Sequence, residues 1–232
     1  MSMYRDGLPQ MQNRIFLTDG GLETSLIFHH GVELPHFASF HLMRDAEGRA
    51  KLTDYSRPFL GTARSGGYGF ILDTPTWRAN ADWGEKLGYS AEALAAVNRQ
   101  AVALMDELRA EYVVGDFPIV LSGAIGPRGD GYVAGDVMSV SEAEAYHSAQ
   151  IDSFASTNAD MVTAFTMNNV PEATGITRAA QRASIPVAIS FTVETDGRLP
   201  AGQSLREAIE AVDDQTGGGP AYYMINCAHP VH

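Results

Sequence analysis

At 232 residues, 45% of them hydrophobic, the chain carries enough apolar material for one large α/β domain spanning residues 1–232. A formal net charge of -12 and a pI near 4.9 set its surface against phosphate backbones and anionic membranes, so nucleic acid and membrane are not expected as partners. No basic leader precedes an apolar core and no apolar run approaches about 18 residues, so a cytoplasmic location is expected, in keeping with a single cysteine that cannot form an internal disulfide.

Short apolar runs alternate with longer helical patterns along the whole chain, the mark of βα units on a parallel sheet. Strands are predicted at 15–17, 69–73, 119–122, 161–165, 187–191 and 222–226, each reading as a nearly continuous apolar run suited to a sheet covered on both faces. Helices are predicted at 53–66, 91–112, 141–158, 171–183 and 204–214. In the second, Leu94, Val97, Ala101, Leu104, Met105 and Leu108 recur at steps of three or four on one face. Ser90 is placed to cap that helix, Ser141 with Glu144 has the form of a capping box, and Gly67 and Gly115 suit helix exits. Gly217-Gly218-Gly219-Pro220 reads as the loop before the last strand.

Reactive groups of a βα barrel sit where the strands end, so the residues after each apolar run are the candidates. The first run leads into Thr18-Asp19-Gly20-Gly21-Leu22-Glu23-Thr24. The glycine pair lets a backbone approach a ligand, and Asp19 can hold an ammonium or simply cap a tight turn. The second leads into Asp73-Thr74-Pro75-Thr76-Trp77-Arg78-Ala79-Asn80, where the Trp77 ring can receive a sulfonium or quaternary ammonium or can pack its own loop down. The third leads into Gly123-Ala124-Ile125-Gly126-Pro127-Arg128-Gly129, expected as a rigid loop with exposed backbone donors. After the fifth, Arg198 can meet a carboxylate or stay solvated. Cys227 is either an inert buried thiol or a ligand, and neither His229 nor His232 gives it the paired spacing of a local zinc motif. General acid/base chemistry on Asp19 or Asp73 is a further expectation.

Taken in order, Asp19-Gly20-Gly21-Leu22-Glu23-Thr24, Thr74 to Asn80, Ser122 to Gly129, Tyr146 to Ile151, Ile189-Ser190-Phe191-Thr192 with Gly197-Arg198-Leu199 and Gly202 to Leu205, and Ile225-Asn226-Cys227 resemble the homocysteine S-methyltransferase family. The resemblance implies a (β/α)8 TIM-type barrel, of which about six βα units are present here. It also implies transfer of a methyl group from a small donor (S-methylmethionine, S-adenosylmethionine, betaine or methylfolate) to the thiol of homocysteine or a related thiol, as in methionine biosynthesis. By the same resemblance zinc is the cofactor. It is held by one cysteine after the sixth strand, matched by Cys227, and by a cysteine pair after the eighth strand that this chain does not contain. Asp19, Gly20, Gly21, Thr76, Trp77, Ser122 and Asn226 are the expected substrate-binding residues. Phe165 stands where the family usually carries a glutamate that helps to bind the substrate amine.

With one of three zinc ligands, the 232-residue form is expected to bind zinc weakly and to be inactive, and to be a shortened form of a longer protein. A non-catalytic barrel that binds a small molecule and has lost the zinc site is the alternative expectation. Self-association into a homo-oligomer is left open.

Overall fold

The structure, a computed structural model, describes residues 2–112, 115–133 and 135–229. Six strands, β1 (Phe16–Leu17), β2 (Gly69–Asp73), β3 (Ile119–Ile125), β4 (Met161–Met167), β5 (Val187–Phe191) and β6 (Tyr222–Ile225), pair in parallel and in chain order. The longer helices are α1 (Ala46–Ser65), α2 (Ala81–Lys86), α3 (Ala91–Tyr112), α4 (Val140–Ala155), α5 (Val170–Arg182) and α6 (Leu205–Thr216). The result is a curled half-barrel, a partial TIM-type fold, with β1 and β6 at the ends of the sheet.

The period of two along the strands divides the side chains between two apolar layers. Phe70, Leu72, Ile119, Leu121, Val162, Ala164, Val187 and Ile189 face the helices and pack with Met105 and Leu108 of α3, Phe154 of α4, Ile176 of α5 and Val212 of α6. Ile71, Val120, Met161 and Ala188 form the concave side with Phe16, Tyr222 and Met224, and Tyr4 and Leu8 from the N-terminal segment close its floor. A third cluster joins Leu26, Leu34, Phe40 and Met43 to Leu94, Val97 and Ala101 of α3. It lies under a segment of short helical turns: Leu22–Thr24, Ser25–His29, Pro35–Phe37 and Ser39–Arg44. These turns carry no period long enough to be legible as helices.

β2, α3 and β5 have their predicted bounds. Three predictions need correction. The helix predicted at 53–66 begins at Ala46, where Asp45 caps it by accepting the Gly48 N–H at 2.7 Å. Gly48 weakens the local helical signal, yet it is required, because a Cβ there would collide with the Leu42 backbone of the preceding turn. The capping box before α4 uses Ser139 and Glu142 instead of Ser141 and Glu144; both pairs have the right spacing, but Ser139 has the extended ψ of 161° that an N-cap needs. Finally, β3 and β4 run on to Ile125 and Met167, so Gly123-Ala124-Ile125 is strand instead of loop, and Phe165 lies within β4.

Ser90 does cap α3, accepting the Ala93 N–H at 3.2 Å. Gly67, Gly115 and Gly217 all adopt positive φ, as helix exits do.

Candidate functional site

Following the concave face toward the C-terminal ends of the strands, the apolar floor gives way to a polar layer. Two residues beyond Ile71 comes Asp73, beyond Val120 comes Ser122, beyond Met161 comes Thr163 and beyond Ala188 comes Ser190, while Asn226 stands two beyond Met224. Ser122 and Thr163 share a hydrogen bond of 2.8 Å, and the Ser190 hydroxyl donates to Asn226 Oδ1 at 2.7 Å. A βα barrel offers its chemistry at this end of its strands.

Asp19 sits two residues past β1, and Gly21 turns the chain with φ of 44°. The Tyr55 hydroxyl of α1 donates to the Gly20 carbonyl, which fixes the turn. Three carboxyls gather here. Burial pushes Asp19 above the usual carboxylate range, and the neighbouring Tyr55 phenol offsets only part of that rise. Burial also raises Glu23, although it accepts a 2.6 Å bond from Ser39, and the Asp19 charge adds to the rise. Asp73 is raised as well, by burial first and by the neighbouring Asp19 second.

The predicted residues divide by what their polar atoms do. Thr76 is fully buried and its hydroxyl belongs to a closed ring. The Ala124 N–H donates to Thr74 Oγ1 (3.0 Å), the Thr74 hydroxyl to Thr76 Oγ1 (2.6 Å), and the Thr76 hydroxyl to the Ala124 carbonyl (2.7 Å). Each hydroxyl has one proton, so the direction of the ring is fixed, and it ties the β2 exit to β3. Trp77 lies against Gly126, where an added Cβ would meet the indole edge at 2.7 Å. Its ring faces the Arg78 guanidinium at 4.1 Å, and Trp83 stands 4.0 Å from the same cation. Arg78 is thus held between two indoles and donates to the Gly129 carbonyl at 2.8 Å. Burial lowers its pKa, opposed by Asp130 and Glu23.

Asn226 makes the densest set of contacts. Besides Ser190, its Oδ1 accepts the Thr166 N–H at 2.9 Å, and its Nδ2 donates to Thr166 Oγ1 at 3.0 Å and to Cys227 Sγ at 3.3 Å. Cys227 is an exposed free thiol with φ of 54°. Tyr132, from the β3–α4 connection, has its phenol raised first by burial and then by a hydrogen bond with Cys227. Arg198 is turned back on its own loop, donating to the Gly202 carbonyl at 3.0 Å.

The sequence reading missed Tyr55 and Tyr132, neither of which directly follows a predicted strand, passed over Thr166 although it follows the strand predicted at 161–165, and gave Glu23 no role. A buried pair behind the mouth was also missed: His147 Nε2 lies 2.9 Å from Glu172 Oε1, the same oxygen that accepts the Arg128 N–H at 2.7 Å. This pair anchors the Gly126-Pro127-Arg128-Gly129 turn to α4 and α5.

A tetrahedral zinc site takes at least three protein donors. Among the described residues no group of three His, Cys, Asp or Glu side chains is arranged to hold a metal ion, and Cys227 contributes one thiol. His232 lies outside the described residues. The donors described here therefore do not fit zinc as a complete site. No helix among the described residues is long and apolar enough to cross a membrane.

Solved structures with the same architecture include the Escherichia coli homocysteine methyltransferase MmuM. Its metallated form aligns with a TM-score of 0.75 at 19% identity, covering 94% of this chain and 76% of that one. Its oxidized form gives 0.75 at 20%, covering 94% and 75%, and its apo form 0.69 at 20%, covering 95% and 74%. No curated protein sequence matches. At such identity the likeness speaks for the fold. Kinship comes from the sequence model described as homocysteine S-methyltransferase, which matches residues 16–232 and so takes in every strand of the half-barrel and the polar layer above its floor. The chain belongs to the homocysteine S-methyltransferase family.

Proposed function

We infer that the protein transfers a methyl group from a small donor to the thiol of homocysteine or a related amino-acid thiol. The observation that carries this reading is the position of Cys227. It stands at the exit of β6 with its Sγ beside the Asn226 amide, on the polar side of a family barrel whose β1 exit is the Asp19-Gly20-Gly21 turn. In this reading Asp19 and the backbone of Gly20 and Gly21 receive the amino-acid end of the substrate. Ser122 and Asn226 line the mouth, while Thr76 and Trp77 shape it through the hydroxyl ring and the Arg78 stack.

Zinc enters this reading through Cys227. One thiolate does not hold zinc tightly, so metal content is measured alongside activity. The protein's own part is to bind and orient the thiol amino acid. The buried carboxyls at the β1 and β2 exits favour a cationic group, and the Asn226 network fixes the end of β6 against β4 and β5.

The test uses protein isolated from its native source, incubated with homocysteine and each donor class in turn. Product mass and zinc per chain are measured for the wild type and for Cys227→Ala. Methionine formed from one donor, and lost with the zinc on chelation or on Cys227→Ala, supports the methyltransferase. Saturable homocysteine binding with neither turnover nor zinc favours the alternative, a small-molecule-binding barrel. Absence of both binding and turnover rejects the two readings together.

A further inference from the structure

Asp73 ends β2 on the concave side, two residues beyond Ile71 of the floor. Both of its carboxylate oxygens are wholly buried and neither has a hydrogen-bond partner; what exposure the residue keeps lies in its other atoms. The groups nearby are committed elsewhere. Ser122, its register partner on β3, stands close enough to temper the Asp73 charge, but its hydroxyl is outside hydrogen-bonding geometry with that carboxyl and pairs with Thr163 at 2.8 Å. The Thr74 hydroxyl belongs to the ring with Thr76. Arg78, the cation of this loop, lies between two indoles, donates to the Gly129 carbonyl and makes no hydrogen bond to Asp73. Asp73 is also felt electrostatically by Asp19 and by the Tyr222 phenol, and neither is a cation.

A desolvated carboxyl without a single donor works against the folded state, so its presence at the mouth calls for a ligand that answers it. The missing partner must bring positive charge and more than one N–H, because two oxygens are unmatched. A primary ammonium has three N–H groups and one charge. Phe165 offers no such charge from β4.

We propose that Asp73 is a specificity-determining residue that binds the protonated amine of the amino-acid ligand, with Asp19 as the adjacent acid. The inference deepens the thiol-acceptor reading and rests on it for the choice of probes. Burial disfavours the Asp73 carboxylate in the empty site, and an ammonium placed beside it offsets that penalty by pairing with the charge.

The test is calorimetry on the whole chain with three probes. They are L-homocysteine, 4-mercaptobutanoate, which lacks only the amine, and L-2-aminobutyrate, which lacks the thiol. Wild type is expected to prefer homocysteine to 4-mercaptobutanoate. Asp73→Asn should weaken both amines by about ten- to a hundredfold, the range of a charged hydrogen bond, and leave 4-mercaptobutanoate within about twofold. Asp73→Ser, with a melting curve for each variant, guards against a folding artefact. Unchanged homocysteine affinity in Asp73→Asn, an equal loss of all three probes, or no binding of any probe to wild type overturns the proposal. Binding of L-2-aminobutyrate equal to that of homocysteine, with both lost in Asp73→Asn, removes the thiol from the reading and leaves the role of Asp73 standing.

Discussion

The side-chain amide of Asn226 holds Thr166 in a left-handed backbone conformation, φ of 61°, that a β-branched residue avoids. The two groups form a matched pair. Thr166 gives its N–H to Oδ1 and takes Nδ2–H on Oγ1, across the irregularity in β4 between Ala164 and Met167. Because Oδ1 also accepts from Ser190, a single residue at the end of β6 fixes the exits of three strands and the residue before Cys227. Such strain persists only where its surroundings over-determine it, and it marks functional sites more often than ordinary turns.

Asn226→Ala strips an acceptor from a buried Thr166 N–H and from the Ser190 hydroxyl, and removes the tie that offsets the left-handed backbone. The expected loss is about 2 to 4 kcal/mol of stability, measured by urea denaturation. Adding Thr166→Gly to that background should recover part of it, since glycine adopts this φ freely. A full-strength Asn226→Ala protein would mean that the pair is incidental.

How much of this was legible beforehand follows from what each feature depends on. The strands at 69–73 and 187–191 and helix 91–112 are readable because burial imposes its period directly on their sequence. Placing candidates at strand exits puts Asp19, Asp73 and Cys227 at one end of the sheet, since topology alone carries them there. Thr166, Tyr55 and Tyr132 escaped because their roles arise from contacts across 60, 35 and many more residues of chain, as in Asn226 to Thr166 and Tyr55 to Gly20. The stacking of Arg78 between Trp77 and Trp83 was hidden for a related reason: Trp77 adjoins Arg78 and Trp83 follows five residues on, but only the fold determines which ring faces which cation.

Asp160 illustrates a structural acid that no sequence pattern singles out. It is fully buried just before β4, accepts the Met3 and Tyr4 N–H groups at 2.7 and 2.8 Å, and takes the Leu121 N–H and Arg109 Nη1, both at 2.9 Å. It therefore staples the N-terminal plug, β3 and α3 together at the floor. Asp160→Asn leaves Arg109 buried beside Asp106 alone and should cost about 3 kcal/mol. Hydrogen exchange should rise at residues 3–8 before the sheet is affected; uniform exchange across the chain would contradict the staple.

The His147–Glu172 pair gives a pH signature. Burial alone would raise Glu172, but the His147 bond, the Arg128 N–H and Asn169 outweigh it, so its pKa lies below the ordinary value. A depressed acid stabilises the fold above the unfolded-state value of about 4.3, and this contribution disappears as pH falls through the folded-state value. Glu172→Gln should therefore be less stable by about 2 kcal/mol at pH 7 and converge with wild type under strongly acidic conditions. Parallel stability curves from neutral to acid pH would show that the charge of Glu172 is not what matters.

Asp73 carries the opposite sign. Its pKa is raised, so between the ordinary aspartate value and its own the native state holds more protons than the unfolded chain. The slope of stability with pH is then negative across that interval, and the carboxyl detracts from the fold increasingly as pH rises through it. Asp73→Asn should consequently raise the urea midpoint of the ligand-free protein at neutral pH while making little difference below the ordinary aspartate value, where the carboxyl is protonated in both the folded and the unfolded chain. Saturating homocysteine should reverse the order, because only the acid gains from an ammonium that binds the folded state. A variant that is less stable than wild type without ligand at neutral pH would show that Asp73 already has a partner in the fold, and the unanswered carboxyl would no longer call for a cation.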